Sequence, residues 1–166
     1  MTTEVPRNEL RALYRELILE HAPNPRHCGE LSQATHRGAG ANPLCGDNLE
    51  LFLDVDHGTI DSIGFTGTGC AISVASASLL TETVNGMHSE QALALSDLLI
   101  AHLCEATETP MRKAPADLGA LRALEGVAEF PSRVKCATLA WHALRSAITI
   151  DNDNHDGSNT VTVSTE

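Results

Sequence analysis

The apolar positions near the start of the chain predict one amphipathic helix, and a long polar loop follows it. The apolar residues that recur at helical spacing are Leu10, Leu13, Tyr14, Leu17 and Ile18. Pro23 and Pro25 come soon afterwards, so the helix is expected to end just after His21. Residues 22–47 are rich in Gly, Pro, Asn, Ser and Thr, which predicts irregular backbone with room for one short strand.

An alternating pattern then predicts a β-hairpin. Every second position is apolar on both sides of a DHGT turn, at Leu49, Leu51, Leu53 and Val55 before it and at Ile63 and Phe65 after it. A period of two is typical of strands that bury one face, and the turn composition favours a tight connection. We therefore expect two antiparallel strands joined at that turn.

The second half of the chain is predicted to be mainly helical. A run of small residues after GTGC predicts a helix that ends at Asn85 and Gly86 and places Cys70 at the junction of loop and helix. A second helix is expected from Ser89, with an apolar face formed by Leu95, Leu98, Leu99, His102 and Leu103. A linker containing Pro110 and Pro115 is expected to follow it.

The C-terminal part is predicted to contain a short helical piece, a final helix and a tail. The short piece is indicated by Leu118, Leu121 and Leu124. The segment PSRVKCATLAWHALRSAI predicts the final helix, with Cys136 in its first turn. Residues 151–166 are acidic and lack a core-forming pattern, which predicts a disordered tail.

These elements predict an α+β domain over residues 1–150. The expected architecture is a small antiparallel three-stranded sheet packed by helices, with the chemistry at one end, where loops and helix starts converge. A chain of 166 residues that is 42% hydrophobic is long enough to bury one substantial core.

Net charge and hydropathy argue against two classes of partner, nucleic acids and membranes. Eleven basic residues against 22 acidic ones give a net charge of −11, which repels phosphate backbones and anionic lipids. We therefore expect neither a nucleic-acid nor a membrane partner. No apolar run approaches the roughly 20 residues that span a bilayer, and we expect a cytoplasmic protein.

The five cysteines provide the candidate chemistry, because an odd number argues against a full disulfide framework. Cys45 and Asp47 flank Gly46, whose backbone freedom would let both side chains turn toward one ion. Cys70 and Cys136 are predicted at helix starts, where the helix dipole favours thiolate. Three thiolates and a carboxylate suit tetrahedral zinc, and the same set could bind iron with sulfide. Because the paired C-x-x-C spacing is absent, buried structural cysteines are an equal alternative on residue types alone.

Four motifs resemble one known family along nearly the whole chain up to about Ile148. The segments YRELILEHAPNPR, NPLCGD, GTGCAISVASASLL and RVKCATLAWHAL look like the U-type scaffold family of iron–sulfur cluster assembly, the IscU/SufU or NifU N-terminal-like proteins. Two details resemble the SufU branch. Lys135 occupies the position where IscU-like proteins usually have a histidine, and the stretch from Cys70 to Cys136 is longer than in those proteins.

The resemblance implies a function and a set of site residues. Cys45, Asp47, Cys70 and Cys136 match the metal ligands of the family, and Cys45 matches its sulfur-accepting cysteine. SufU-like proteins hold zinc and take persulfide sulfur from a SufS-type cysteine desulfurase for a downstream iron–sulfur assembly complex. The implied function is therefore that of a zinc-dependent sulfurtransferase.

Residue chemistry adds three expectations to this function. Coordination to a metal ion would keep an accepting thiolate masked until a partner displaces it. Cys45 is the expected residue to leave the metal, because we place Gly38, Gly40 and Gly46 in its loop. A metal site with three thiolates and a carboxylate would be negatively charged, and Arg133 and Lys135 could offset that charge, although both could equally be solvated surface residues.

Two alternatives to a sulfurtransferase are considered. The same four ligands could hold an iron–sulfur cluster on an assembly scaffold, or the zinc could be purely structural in a binding module. Cys28 and Cys104 match no ligand position of the family, and we interpret them as buried or incidental thiols. No histidine enters the predicted ligand set, because none has a second histidine at i+4.

Overall fold

The fold was analysed on a computed structural model that describes residues 6–43, 45–108, 116–150 and 162–164. In chain order its elements are helix α1 (Arg7–His21), strands β1 (His36–Asn42), β2 (Asp47–Asp56) and β3 (Thr59–Thr68), helices α2 (Ala71–Val84) and α3 (Ser89–Glu108), 3-10 helices over Ala116–Glu129 and Pro131–Arg133, helix α4 (Val134–Ile150) and strand β4 (Thr162–Ser164). Within these ranges, no helix combines the length and apolar character needed to cross a membrane.

Strands β1, β2 and β3 form the antiparallel three-stranded sheet that the sequence predicts. The strand order is β3-β2-β1-β4, and the short strand β4 runs parallel to β1. Strand β4 was not expected, because it falls within residues 151–166, for which the sequence predicts a disordered tail. The β-branched run Thr-Val-Thr-Val at residues 160–163 favours a strand, a signal that the prediction of a disordered tail did not use. The other residues of that segment, and the linker with Pro110 and Pro115, lie outside the described residues.

Helix α4 lies against the sheet and forms the centre of the core. Trp141, Leu139 and Leu144 are fully buried between the sheet and the other helices. Helix α4 approaches β1 closely because β1 carries glycines. A Cβ atom on Gly38 would lie 2.2 Å from the carbonyl oxygen of Ala143. Gly38 and Gly40 therefore belong to a packed strand, and the prediction that they make the Cys45 loop mobile is wrong.

The remaining helices cover the sheet and each other. Helix α1 packs on α2 and on the 3-10 helix Ala116–Glu129. The short helical piece predicted around Leu118 is this 3-10 helix, with non-helical angles at Gly119 and buried leucines beyond it. A 3-10 turn, Pro131–Arg133, leads into α4, so Cys136 lies in the first turn of α4 as predicted.

Candidate metal centre

The turn between β1 and β2 presents Cys45. The Cys45 backbone N–H donates to the carbonyl of Asn42 at 3.2 Å. Gly46 has a φ of 69°, a conformation that glycine adopts without steric cost, so the chain can reverse within two residues of the thiol. The Cys45 side chain is half-buried. The turn thus exposes part of this thiol.

Asp47 begins β2 and connects the turn to the start of α2. Its carboxylate Oδ1 accepts a hydrogen bond from the Cys70 backbone N–H at 2.7 Å, although the residue is only 2% exposed. A Cβ atom on Gly69 would lie 3.0 Å from the same oxygen, so the glycine makes room for the carboxylate. Asp47 therefore caps α2 from another element, satisfying an N–H group at the helix start.

Cys70 is the residue that precedes α2, as the sequence predicts. The Cys70 thiol Sγ lies 3.9 Å from Asp47 Oδ2 and 3.8 Å from the hydroxyl of Ser73. The side chain is half-buried. Its backbone is extended, with φ −68° and ψ 165°, which is the geometry of a residue just before a helix.

Cys136 enters the site from the first turn of α4 and is fully buried. The side-chain amide of Asn42 donates to Cys136 Sγ at 3.5 Å. Because Asn42 also receives the Cys45 N–H through its carbonyl, this residue joins two of the thiols. Asn42 was not predicted as a site residue, although it is the first residue of the NPLCGD motif.

Three of the four predicted ligands converge. Candidate donor atoms of Cys45, Asp47 and Cys136 all lie within 4.8 Å of one another. Cys70 stands outside that group, but its thiol is next to the Asp47 carboxylate, as described above. No histidine belongs to the group among the residues described. Cys28 and Cys104 are both exposed, so neither is a buried thiol.

The cluster brings several acidic groups, the cysteine thiols and the Asp47 carboxylate, close together. Burial raises the pKa of the Cys136 thiol above its usual range, and hydrogen bonds with Asp47 and Cys45 add to the effect. The exposed guanidinium of Arg133 lies near, with Nη1 at 3.6 Å from Cys45 Sγ. The pKa of Arg133 is raised by its hydrogen bond with Cys136 and by the charge of Cys45. In the described part of the chain, the Lys135 side chain makes no hydrogen bond or ion pair with these groups.

Tyr14 on α1 is electrostatically coupled to the cluster, which was not predicted. Burial raises the pKa of Tyr14 to about 12, and the charges of Cys70 and Cys136 contribute. Its buried hydroxyl has no hydrogen-bond partner in the regions that the structure describes. The ring stacks on Phe130, with centroids 6.5 Å apart. The sequence pattern places Tyr14 on the apolar face of the first helix and carries no signal for an interaction with the thiols.

The donor set fits a thiophilic divalent cation. Two thiols and a carboxylate lie close together, and a third thiol adjoins the carboxylate. Grouping these acids without a compensating cation keeps at least one thiol protonated, as the raised pKa of Cys136 indicates. Sulfur and carboxylate donors in a four-residue set are typical of zinc, and thiolates also hold iron–sulfur clusters.

Known proteins share both the sequence and the fold. A family model described as NifU-like N terminal domain matches residues 13–137. The iron–sulfur cluster assembly scaffold protein IscU of Streptococcus pyogenes serotype M1 is 40% identical over 141 residues, 85% of this chain and 86% of that protein. The zinc-dependent sulfurtransferase SufU of Bacillus subtilis strain 168 is 38% identical over 139 residues, 84% of this chain and 91% of that protein.

A solved structure gives the same result. The crystal structure of the FiSufU protein from Fervidobacterium islandicum AW-1 has a TM-score of 0.69 and 27% identity, and the match covers 84% of this chain and 98% of that chain. The fold predicted from the sequence is therefore confirmed, as is the family that its motifs resemble. The chain belongs to the NifU-like N-terminal domain family of iron–sulfur cluster assembly proteins, alongside IscU and SufU.

Proposed function

We propose that the chain is a zinc-dependent sulfurtransferase that accepts persulfide sulfur from a SufS-type cysteine desulfurase in the cytoplasm and delivers it to iron–sulfur cluster assembly. The observation that carries the proposal is the unequal setting of the clustered thiols. Cys45 is half-exposed on a turn, whereas Cys136 is fully buried in a helix. A partner can therefore reach Cys45 without unfolding the site.

Zinc would be held by Cys45, Asp47, Cys70 and Cys136. When bound, zinc keeps thiol ligands deprotonated and contributes no redox chemistry of its own. The chain itself supplies the restraint, because the Asp47 carboxylate is fixed by the Cys70 N–H and Cys136 by the amide of Asn42. Cys45 differs in lying on a turn, where the exposed Arg133 side chain reaches its thiol and its backbone N–H donates to Asn42.

The transfer step is a thiol exchange at Cys45. The Cys45 thiolate attacks the terminal sulfur of the cysteine persulfide on the desulfurase. An S–S bond forms at Cys45 Sγ, the S–S bond of the donor breaks, and the donor cysteine leaves with the electron pair as a thiolate. The exchange needs no added oxidant or reductant. Arg133, at 3.6 Å from Cys45 Sγ, would offset the negative charge of the attacking thiolate and of the persulfide that replaces it.

Two further observations support sulfur transfer. A relative that is 38% identical carries the name zinc-dependent sulfurtransferase SufU. Lys135, immediately before Cys136, cannot serve as a neutral nitrogen ligand in the way that a histidine could. The thiols and Asp47 therefore remain the donors on this side of the site.

The test combines metal analysis with a sulfur-transfer assay. The chain is purified without air and without added metal, and zinc is measured. It is then incubated with a SufS-type desulfurase and cysteine, and the mass of each thiol-containing peptide is determined. We expect zinc in the isolated chain and one added sulfur atom on Cys45, absent in Cys45→Ala. Cys104→Ala is the matched control and should accept sulfur as the unaltered chain does. Sulfur acceptance by Cys45→Ala at the normal rate would refute the proposal.

A scaffold function is the second candidate. It is favoured by the name of the relative that is 40% identical, iron–sulfur cluster assembly scaffold protein IscU. The same four side chains would then hold a cluster as cargo before its transfer. Iron and sulfide with a visible absorbance band in the isolated chain would favour this function, whereas zinc without visible absorbance would favour sulfur transfer.

A further inference from the structure

Strand β1 would be an edge strand without the C-terminal segment. Its partner on one side is β2, with Asn42 opposite Asp47. On the other side, β4 pairs in parallel over three residues, with Ala39, Gly40 and Ala41 opposite Thr162, Val163 and Ser164. An uncovered edge leaves N–H and C=O groups free to exchange with solvent or to pair with another chain. Strand β4 covers this edge and also contacts α4.

The covered strand is intrinsically weak and leads directly into the candidate site. Residues 38–41 are Gly, Ala, Gly and Ala, which have low strand propensity, so β1 is held by its backbone pairing and by the close approach of α4. The next residue, Asn42, is buried and contacts Cys136 through its side chain and the Cys45 N–H through its carbonyl. Any loosening of the end of β1 therefore displaces the acceptor that fixes the Cys45 turn.

We infer that β4 is a displaceable brace on β1 that restrains the Cys45 turn and so lowers the reactivity of Cys45. Three paired residues make a small contact, which can open without unfolding the domain. Among the residues whose burial the structure describes, the buried apolar cluster is formed by residues 17–148. The occupant of the β1 edge is the chain's own C-terminal segment. The inference rests on the proposed function only in taking Cys45 as the sulfur acceptor. The restraint of the Cys45 turn by β4 does not itself depend on sulfur transfer.

The test compares full-length chains that differ at one residue of β4. Val163→Pro removes a backbone N–H from the strand, whereas Val163→Thr keeps the N–H and the β-branched shape. Iodoacetamide labelling of each cysteine is followed by mass spectrometry, and deuterium uptake is measured over residues 36–42. We expect labelling of Cys45 to be about tenfold faster in Val163→Pro, with faster deuterium uptake in β1, and no change in Val163→Thr. Neither measurement involves a desulfurase, so the result is separate from the test of sulfur transfer.

Internal references make the outcome decisive. Cys28 and Cys104 are exposed, and Cys28 bridges to Phe65 on β3, on the far side of the sheet from β4. Their labelling rates should be the same in all variants. A chain that ends at Ile150 should match Val163→Pro, which guards against a general effect of the proline. Unchanged labelling of Cys45 in both variants would overturn the inference, even if deuterium uptake rises. A labelling rate that depends on protein concentration would also overturn it, because β4 would then be exchanged between two copies.

Discussion

The two halves of the candidate site hold their thiols in different ways. Cys70 and Cys136 belong to the starts of helices. The Cys70 backbone N–H donates to the Asp47 carboxylate, and the side-chain amide of Asn42 donates to Cys136 Sγ. Cys45 lies on a turn whose bond to Asn42 is made by the backbone alone. All three side chains have the same chemistry. Cys45 and Cys70 are both half-buried and Cys136 is fully buried, so what distinguishes Cys45 from Cys70 is its place on a turn instead of at a helix start.

The contact between β1 and α4 nevertheless joins the two halves of the site. Strand β1 ends in Asn42 beside Cys45, and α4 begins just before Cys136. The spacing between β1 and α4 therefore sets the distance between the halves. A change at this shared surface should therefore have a larger effect than a change in either half alone.

The largest effect is expected from Gly38→Ala. The new Cβ would meet the Ala143 carbonyl oxygen at 2.2 Å, a backbone atom that can move only if α4 moves. We expect the free energy of unfolding to fall by about 3 kcal/mol, measured by denaturant titration. Gly40→Ala is the matched control on the same strand, since its nearest atom is the side-chain methyl Cδ1 of Leu139 at 2.9 Å. An equal loss in both variants would contradict the assignment of Gly38 to a backbone contact.

The second prediction measures the difference between the thiols directly. After metal is removed with a chelator, Cys45 should react with iodoacetamide about 100-fold faster than Cys136, because Cys136 is fully buried and burial raises the pKa of its thiol. The exposed Cys104 provides the upper reference rate. Comparable rates for Cys45 and Cys136 would mean that the two halves do not differ in accessibility, and the choice of Cys45 as the acceptor would lose its structural support.

The third prediction perturbs the anchored half. In Gly69→Ala the new Cβ would meet the Ser73 hydroxyl at 2.3 Å and Asp47 Oδ1 at 3.0 Å. We expect a loss of about 2 kcal/mol in the free energy of unfolding, together with weaker zinc retention against a chelator. The double variant with Ser73→Ala removes the first clash and should recover part of the stability. If it recovers both stability and zinc retention completely, the Asp47 carboxylate does not depend on Gly69.

Elements with a strong pattern could be predicted from the sequence. The alternating residues of the hairpin and the position of Cys70 before α2 follow from local rules, and the structure agrees. The proposed metal ligands came from the resemblance, since the spacing of Cys45 and Asp47 alone left structural cysteines as an equal alternative. The features that local sequence rules did not predict depend on contacts between segments that are distant in the chain.

Three features show that dependence. Gly38 looks like a loop residue until the approach of α4 is known, since glycine serves flexibility and close packing equally. The β-branched run at residues 160–163 favours a strand, but that β4 pairs with β1 follows only from the fold. The role of Asn42 depends on its hydrogen bond to the Cys136 thiol, which is distant from it in the sequence. Each of these depends on tertiary contacts that periodicity does not encode.

The smallest effect is expected in the turn itself. Gly46 has a φ of 69°, and a Cβ there would find no atom of the described residues within 4 Å apart from its chain neighbours, so Gly46→Ala adds conformational strain without a clash. We expect a loss of about 1 kcal/mol in the free energy of unfolding, and a smaller loss for Gly46→Asn, because asparagine tolerates this region better than alanine. Labelling of Cys136 should be unchanged in both variants, since its anchor is Asn42 and not the turn. If Gly46→Ala instead exposes Cys136 to iodoacetamide as strongly as it affects Cys45, the turn supports the anchored half, and the two halves form a single unit.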